Sequence, residues 1–296
     1  GRAVGTRTEQ LMAEPAPTAE ARRRQVRAEA VRATARALGS SVGTFLVTIV
    51  AVVALWVGVL WAFDVSPYVA KGPLEVWEYL VTAPDAAEHR AELASLLTVT
   101  LADAAIGFVF GLLVALLGAI AFQLSKGLEH ALMPVAMLLR SVPLVAMAPV
   151  IIMIFGRDAW SVAVIGGIVV LFPALVSIAF GLGSASPQMH DVVAVYGGSP
   201  FTALRKVALP SSSPSFFAAV RISVPGAITG ALLAEWLATG EGIGGAVGGY
   251  IAQAQFSALW ASVVAVTATS LVLYNLVQIA EDVALARLDM HPDRRV

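Results

Sequence analysis

Six apolar stretches, at 43–63, 95–122, 131–155, 159–181, 216–238 and 258–280, are each long enough to cross a hydrocarbon core, which takes about 20 residues for roughly 30 Å. Lipid offers no partner to a backbone N–H or C=O, so stretches of this kind fold as helices that satisfy their own backbone. Composition agrees, with hydrophobic residues at 58%, charged residues at 13% and a mean hydropathy of +0.81, outside the range of water-soluble domains. The predicted fold class is an all-α integral membrane protein with six transmembrane helices. No cysteine is present, which excludes disulfides, thiolate metal sites and cysteine nucleophiles. No small-x-small cleavage pattern follows Phe63, so the first stretch reads as a retained anchor.

The net charge of −1 conceals a segregation of charges along the chain. Eight arginines lie between Arg2 and Arg36, and Lys126, Arg205, Lys206, Arg287, Arg294 and Arg295 fall on the same side of the six-span scheme. The other side keeps only Lys71, Arg90 and Arg157. Because short cytoplasmic segments carry the Lys/Arg excess, both termini are expected in the cytoplasm. The organisation read from the chain is a basic cytoplasmic segment 1–40, a first anchor 41–63, an extracytoplasmic loop 64–94, a membrane core 95–284 and a cytoplasmic tail 285–296. Residues 18–39 have helical composition with Gly39 as a stop, either solvated or lying on the lipid surface. The acidic outer loop is expected to hold a short helix over PLEVWEYL.

Between the fourth and fifth spans the cytoplasmic segment 183–214 is long for a simple connection and contains DVVAVYGGSPFTALRKVALP. A helix over 188–196 is predicted to end at Gly197 and Gly198, since glycine enters the left-handed conformation without steric cost. Ser199 and Pro200 then suit the N-cap and first position of a second helix, FTALRKVAL. Pro210 and Pro214 are expected to close the segment and start the next span. A helix, a tight turn and a second helix on the membrane face form a knob shaped to enter a cleft in another protein.

That segment resembles the loop signature of importer-type ABC transporter permeases, E-A-A-x3-G-x9-I-x-L-P. Asp191, Val192 and Val193 stand at the first three positions, Gly197 at the glycine, and Val207, Leu209 and Pro210 at the end. LLRSVPLVAMAPVIIMIFG, LFPALVSIAFG and AEWLATGEGIGGAVGGY resemble, in this order, segments of the nitrate, sulfonate and taurine branch of that family. The likeness runs from about Ser95 to Ala284. It implies a type I ABC importer permease fold and a role as the transmembrane subunit of an ATP-driven importer of a small nutrient, a small organic anion in this branch. It also implies docking of segment 191–210 on two separate ATPase subunits, a second permease copy in a homodimer, and an extracytoplasmic substrate-binding protein. The coupling residues so implied are Asp191, Gly197, Gly198, Arg205, Lys206, Leu209 and Pro210. The chain contains no G-x-x-x-x-G-K-[ST] phosphate loop, so ATP and Mg belong to the partner and this chain is expected to hold no cofactor, no metal and no catalytic residue. Nothing in the sequence suggests nucleic acid as a partner; the surrounding partner is the bilayer.

Several residues have two readings. Arg205 and Lys206 fit either plain positive-inside bias or contact with acidic groups of the ATPase. Ionisable groups within spans face protein or a wet cavity, and four positions are candidates for the pathway or gate: Asp103, Arg140, Pro143 and Glu235. Asp103 and Arg140 either neutralise one another or leave Arg140 as a cationic feature for an anion. Where the family's S-L-x-R-x-x-x-G-F carries Arg, TLADAAIGF carries Asp103. Glu235 either lines a gate or docking surface or hydrogen-bonds a neighbouring helix end. The pairs Gly107/Gly111 and Gly226/Gly230 allow close helix approach, for packing or for dimer contact. Pro143, Pro149, Pro173 and Pro225 are expected to interrupt helices. A rival function is an ion-gradient-driven secondary transporter, for which Asp103 and Glu235 are the only carboxylate candidates. A membrane enzyme is disfavoured because His89, His130, His190 and His291 lie scattered at or beyond span ends.

Overall fold

The computed structural model describes residues 47–287, and every regular element among them is a helix. The expected basic helix before the first span, residues 43–46 of that span, and the tail beyond Arg287 lie outside the described residues. Residues up to Val65 and residues from Ser66 onward form separate units. The first unit shows one apolar helix, α1 (Val47–Ala62).

In the second unit, α2 (Pro73–Trp77) continues into a wide π turn over Glu78–Thr82, matching the short outer helix read from PLEVWEYL. α3 (Ala86–Leu124) is 39 residues long and starts well before the apolar stretch at 95. The added turns, AAEHRAEL, consist of strong helix formers that need no lipid to stay helical. α4 (Lys126–Arg140) and α5 (Leu144–Phe155) follow, then α6 (Ala159–Gly183). α7 (Pro187–Val195) and α8 (Pro200–Ala203) make the segment between spans, α8 running on through a π turn at Leu204–Ala208 and a last turn at Leu209–Ser211. α9 (Ser213–Ala234) ends in a third π turn, Glu235–Thr239. α10 (Gly242–Ala252) and α11 (Phe256–Arg287) complete the described chain.

Among the described residues four helices, α3, α6, α9 with its π turn, and α11, have the length and apolarity of a membrane span, and α4 with α5 makes a fifth if the pair crosses as one. The stretch 131–155, expected as a single span, is instead two helices meeting at 105°. The break falls at Pro143, which has no N–H to donate and whose ring disfavours helical backbone at the preceding Val142. The other prolines correct the expectation. Pro149, Pro173 and Pro225 each lie inside a continuous helix. A carbonyl freed by such a proline, that of the residue four positions before it, finds other donors in a membrane bundle.

The core is α3, α6 and α9, and small residues set its geometry. Gly107 of α3, Gly166 of α6 and Gly230 of α9 meet so closely that a Cβ on Gly107 would stand 2.9 Å from Gly166 Cα, and one on Gly230 2.7 Å from the same atom. One turn along, a Cβ on Gly111 would reach Gly167 O at 2.5 Å. The close approach predicted for Gly107 and Gly111 is thus used within the chain, where dispersion between backbones replaces the hydrophobic driving force that lipid removes. Gly226 is looser, with ordinary contact to Val169. These crossings also give the directions: α3 runs parallel to α6, and α9, whose Ser215 packs on Gly181 while Gly230 packs on Gly166, runs antiparallel. Residues 86–92 therefore sit at the end of the bundle opposite α7 and α8.

α11 packs chiefly on α9, and one ion pair ties them. Arg221 Nη1 lies 3.3 Å from Glu281 Oε2, its guanidinium 5.9 Å from the centre of the Tyr274 ring. The contact lacks hydrogen-bond alignment, so it holds by charge. Removing one member leaves the other's charge largely buried, and Arg221→Met is expected to cost about 1 to 3 kcal/mol. A double-mutant cycle with Glu281→Gln, read as thermal unfolding in detergent, should show the two losses to be less than additive; strict additivity would mean that the pair does not couple the helices.

Candidate functional site

Segment 187–211 forms the helix, turn and second helix that its residues require. α7 ends at Val195, Gly197 takes φ +76°, and Gly198 N donates to Val193 O at 2.8 Å, closing the first helix. Ser199 Oγ accepts from Thr202 N at 3.3 Å as N-cap, with Pro200 at the first helical position. The two glycines carry different constraints. A Cβ on Gly197 would meet nothing within 4 Å, whereas one on Gly198 would strike the Val193 side chain and lie 2.8 Å from Val193 O. Gly197 is needed for its backbone angle and Gly198 for space.

The second helix has two faces. Leu204, Val207 and Ala208 are buried, and Leu204 and Ala208 join the same apolar core as α3, α6 and α9. Arg205, Lys206, Leu209 and Pro210 are exposed. Pro210 does not close the segment as expected: it begins a last helical turn, and Ser212, with Oγ donating to Leu209 O at 2.9 Å, leads directly into α9 with Pro214 in its first turn. The knob is joined to the bundle by helical turns interrupted only at Ser212. Its tip is apolar and unprotected, with Val195 83% and Tyr196 88% exposed, Val192 and Phe201 beside them, and the Asp191 carboxylate also in the open.

At the other end of α9 a carboxylate is wholly enclosed. Glu235, with 0% exposure, accepts on Oε2 from the Thr100 hydroxyl of α3 at 3.0 Å and from Gly244 N of α10 at 2.7 Å. Ile243 N in turn donates to Thr100 Oγ1 at 3.0 Å. The carboxylate thereby satisfies the Gly244 N–H, and Thr100 the Ile243 N–H, at the start of α10, whose dipole places its positive end there. Gly240 turns the chain at φ +74°, and Gly242 takes φ +62° where a Cβ would collide with the Glu235 carboxylate. A Cβ on Gly244 would collide with Leu232 O. The spacing Glu235, Gly242, Gly244 is therefore one object: a carboxylate and the two glycines that let a helix start close over it. The hydrogen bond to a neighbouring helix end, one of the two readings of Glu235, is present.

Thr100 was not singled out from the sequence, yet it is the hinge of this node because a hydroxyl can donate to Glu235 and accept from Ile243 at once. Thr100→Val removes both bonds, leaving Glu235 Oε2 with Gly244 N alone beside an Oε1 that has no partner among the described residues, and leaving Ile243 N unpaired, an expected loss of about 1 to 3 kcal/mol. Thr100→Ser should restore most of it. The check is the detergent unfolding midpoint of the three proteins; a valine variant as stable as wild type would show that the node holds nothing together.

Asp103, one turn further along α3, is half-buried, and its carboxylate and that of Glu241 are the charged neighbours of Glu235. Asp103 and Arg140 do not pair; no ion pair joins them among the described residues. Arg140 is the last residue of α4, exposed at the 105° break beside Pro143, which caps α5. The pathway candidates therefore fall into two places, Asp103 with Glu235 and Arg140 with Pro143. Arg157, from the segment joining α5 to α6, donates to Ala238 O at 3.2 Å, a carbonyl of the π turn.

Residues 107–289 match the family described as binding-protein-dependent transport system inner membrane component. The chain belongs to that family. This permease is 28% identical to a probable ABC transporter permease protein of Haemophilus influenzae over 70% of the chain and 82% of that relative. It is 27% identical to the formylaminopyrimidine transport permease protein of Halalkalibacterium halodurans, covering 60% of the chain and 70% of the relative. Against a putative aliphatic sulfonates transport permease protein of Bacillus subtilis the identity is 29%, over 52% of the chain and 55% of the relative. The resemblance to importer-type ABC permeases thus holds, and the permease is a multi-pass inner-membrane transport protein of an all-helical kind. The family region takes in the glycine crossing, segment 187–211 and Glu235; Thr100 lies before it.

Proposed function

We propose that this permease is the transmembrane subunit of an ATP-driven importer for a small nutrient, with segment 187–211 docking on a separate ATPase subunit. The observation that carries the reading is the knob itself. An apolar tip of Val192, Val195, Tyr196 and Phe201 stands in the open, Arg205 and Lys206 flank it, and its other face is built into the bundle core. An exposed apolar cluster rimmed by charge marks a protein interface, and helical turns from Pro200 into α9, interrupted only at Ser212, are a stiff path for movement. ATP and Mg act on the partner, so this chain does no covalent chemistry. Two permease copies and two ATPase subunits make the assembly, with a binding protein delivering substrate at the end of the bundle that holds residues 86–92. Both termini and the knob lie in the cytoplasm, and α1 with the α4/α5 pair brings the spans to six.

For the substrate, the reading is a small organic anion, supported by Arg140. Its guanidinium has no ion pair among the described residues and stands at a broken helix, next to the N-terminus of α5, where the helix dipole favours negative charge. Reconstitution with the cognate ATPase and binding protein tests the whole. ATP-dependent uptake is expected, and Tyr196→Asp should abolish copurification of the ATPase while the permease itself remains folded. Uptake driven by an ion gradient with no ATPase present would instead establish the secondary-transporter reading.

A further inference from the structure

At the end of the second unit opposite the knob, between the start of α3 and the turn joining α10 to α11, lies a cavity of about 460 Å³, within the range of small-molecule sites. Its walls are rings. Tyr79 stacks on His89 with centroids 3.8 Å apart, and Tyr68 meets Phe256 edge to face at 5.5 Å. Tyr250 reaches in from α10, its hydroxyl donating to Glu92 Oε1 at 3.3 Å. The rings are held in place. His89 Nδ1 contacts Tyr79 O at 3.0 Å and Nε2 lies 3.3 Å from Asp85 Oδ2, while Ala254, at φ +56°, and Phe256 both line the cavity.

The charge in this cavity is lopsided. Glu88 and Glu92 line it with no cation in ion-pair range among the described residues. Lys71, the one lysine of the lining, turns its ammonium to Pro67 O at 2.9 Å. Burial, with the Glu92 and Asp85 carboxylates adding to it, pushes the Tyr79 phenol above its ordinary range. Ring faces attract a cation through their quadrupole, and adjacent carboxylates add to that attraction. Flat rings also stack on them. An anion would meet carboxylates on one side and ring faces on the other.

We propose that this cavity is a binding site for a small aromatic or heteroaromatic cation, with Tyr68, Tyr79, Tyr250 and Phe256 enclosing the ring and Glu88 and Glu92 holding the ammonium group. The site is separate from Arg140 and stands independently of the importer reading, because the test needs neither ATPase nor transport. The full chain in lipid nanodiscs is titrated calorimetrically with benzylamine, benzoate and cyclohexylmethylamine, and empty nanodiscs are subtracted. Benzylamine is expected to bind saturably, cyclohexylmethylamine more weakly, and benzoate not at all. In the Glu88→Gln/Glu92→Gln variant, benzylamine affinity should fall by about tenfold. Benzoate binding as well as benzylamine, no saturable heat from benzylamine, or unchanged affinity in a folded double variant would each overturn the proposal. Should the variant not fold, the wild-type ranking of the three probes decides alone.

Discussion

Gly198→Leu should, on the docking proposed above, reduce ATP-driven uptake by about 100-fold, the order of loss for a displacement of about 1 Å, while leaving insertion and yield close to wild type. The added side chain has nowhere to go: its Cβ alone would meet Val193 Cγ1 and the Val193 carbonyl that Gly198 N itself bonds at 2.8 Å. Relief requires α7 and α8 to splay, and the tip formed by Val195, Tyr196 and Phe201 moves with them. The bundle is spared because the segment's anchor, Leu204 and Ala208, lies on the far side of the turn. Gly197→Ala is the informative companion. No atom lies within 4 Å of its Cβ position, so the cost is that of a left-handed alanine, about 1 to 2 kcal/mol, and uptake should fall far less. Proteoliposomes containing the ATPase and binding protein give both rates. Equal defects in the two variants would mean that backbone angle rather than turn space governs coupling, and normal uptake by Gly198→Leu would remove the knob from the mechanism.

Gly166→Leu should cost the fold itself. Gly166 is the meeting point of three helices: the backbone of Gly107 comes to 3.1 Å of its Cβ position, and Gly230 faces it from α9. A leucine there cannot be accommodated by rotating a neighbouring side chain, because the neighbours are backbone. Overpacking of this kind costs about 3 kcal/mol or more, enough to exhaust the stability of many domains when combined with detergent extraction. The expected result is loss of the monodisperse peak in size-exclusion chromatography, with the protein still inserted in membranes. Gly183→Ala, at the end of the same helix with nothing within 4 Å, should be neutral or slightly stabilising, since glycine in a helix costs about 0.5 to 1 kcal/mol relative to alanine. A well-behaved Gly166→Leu protein would show that the three helices do not cross there in the folded permease.

Legibility followed the range of the interactions. The helix of α7, its glycine stop, the Ser199 cap and Pro200 at the first position could all be read because each depends on backbone within a few residues. Helix breaking by proline was read less well, because it depends on what surrounds the freed carbonyl. Pro143 breaks the chain at 105° while Pro149, Pro173 and Pro225 do not. The spacing of Glu235, Gly242 and Gly244 stood out as a pattern, but its reason needed Thr100, which is 135 positions from Glu235. Arg221 with Glu281 carried no local signal at all, being two charges on separate helices.

By itself the sequence determined that this chain lives in lipid, that it is helical there, and that one polar segment between spans folds into a capped helix pair, since hydrophobicity, helix caps and glycine angles act within a turn or two of chain. Tertiary structure alone decided which glycine of the pair needs empty space, and which prolines bend the backbone. It likewise decided that Glu235 bonds a helix start, that Asp103 and Arg140 do not pair, and that rings from distant segments line a cavity. Those outcomes depend on which atoms come within a few ångströms of one another after the helices pack.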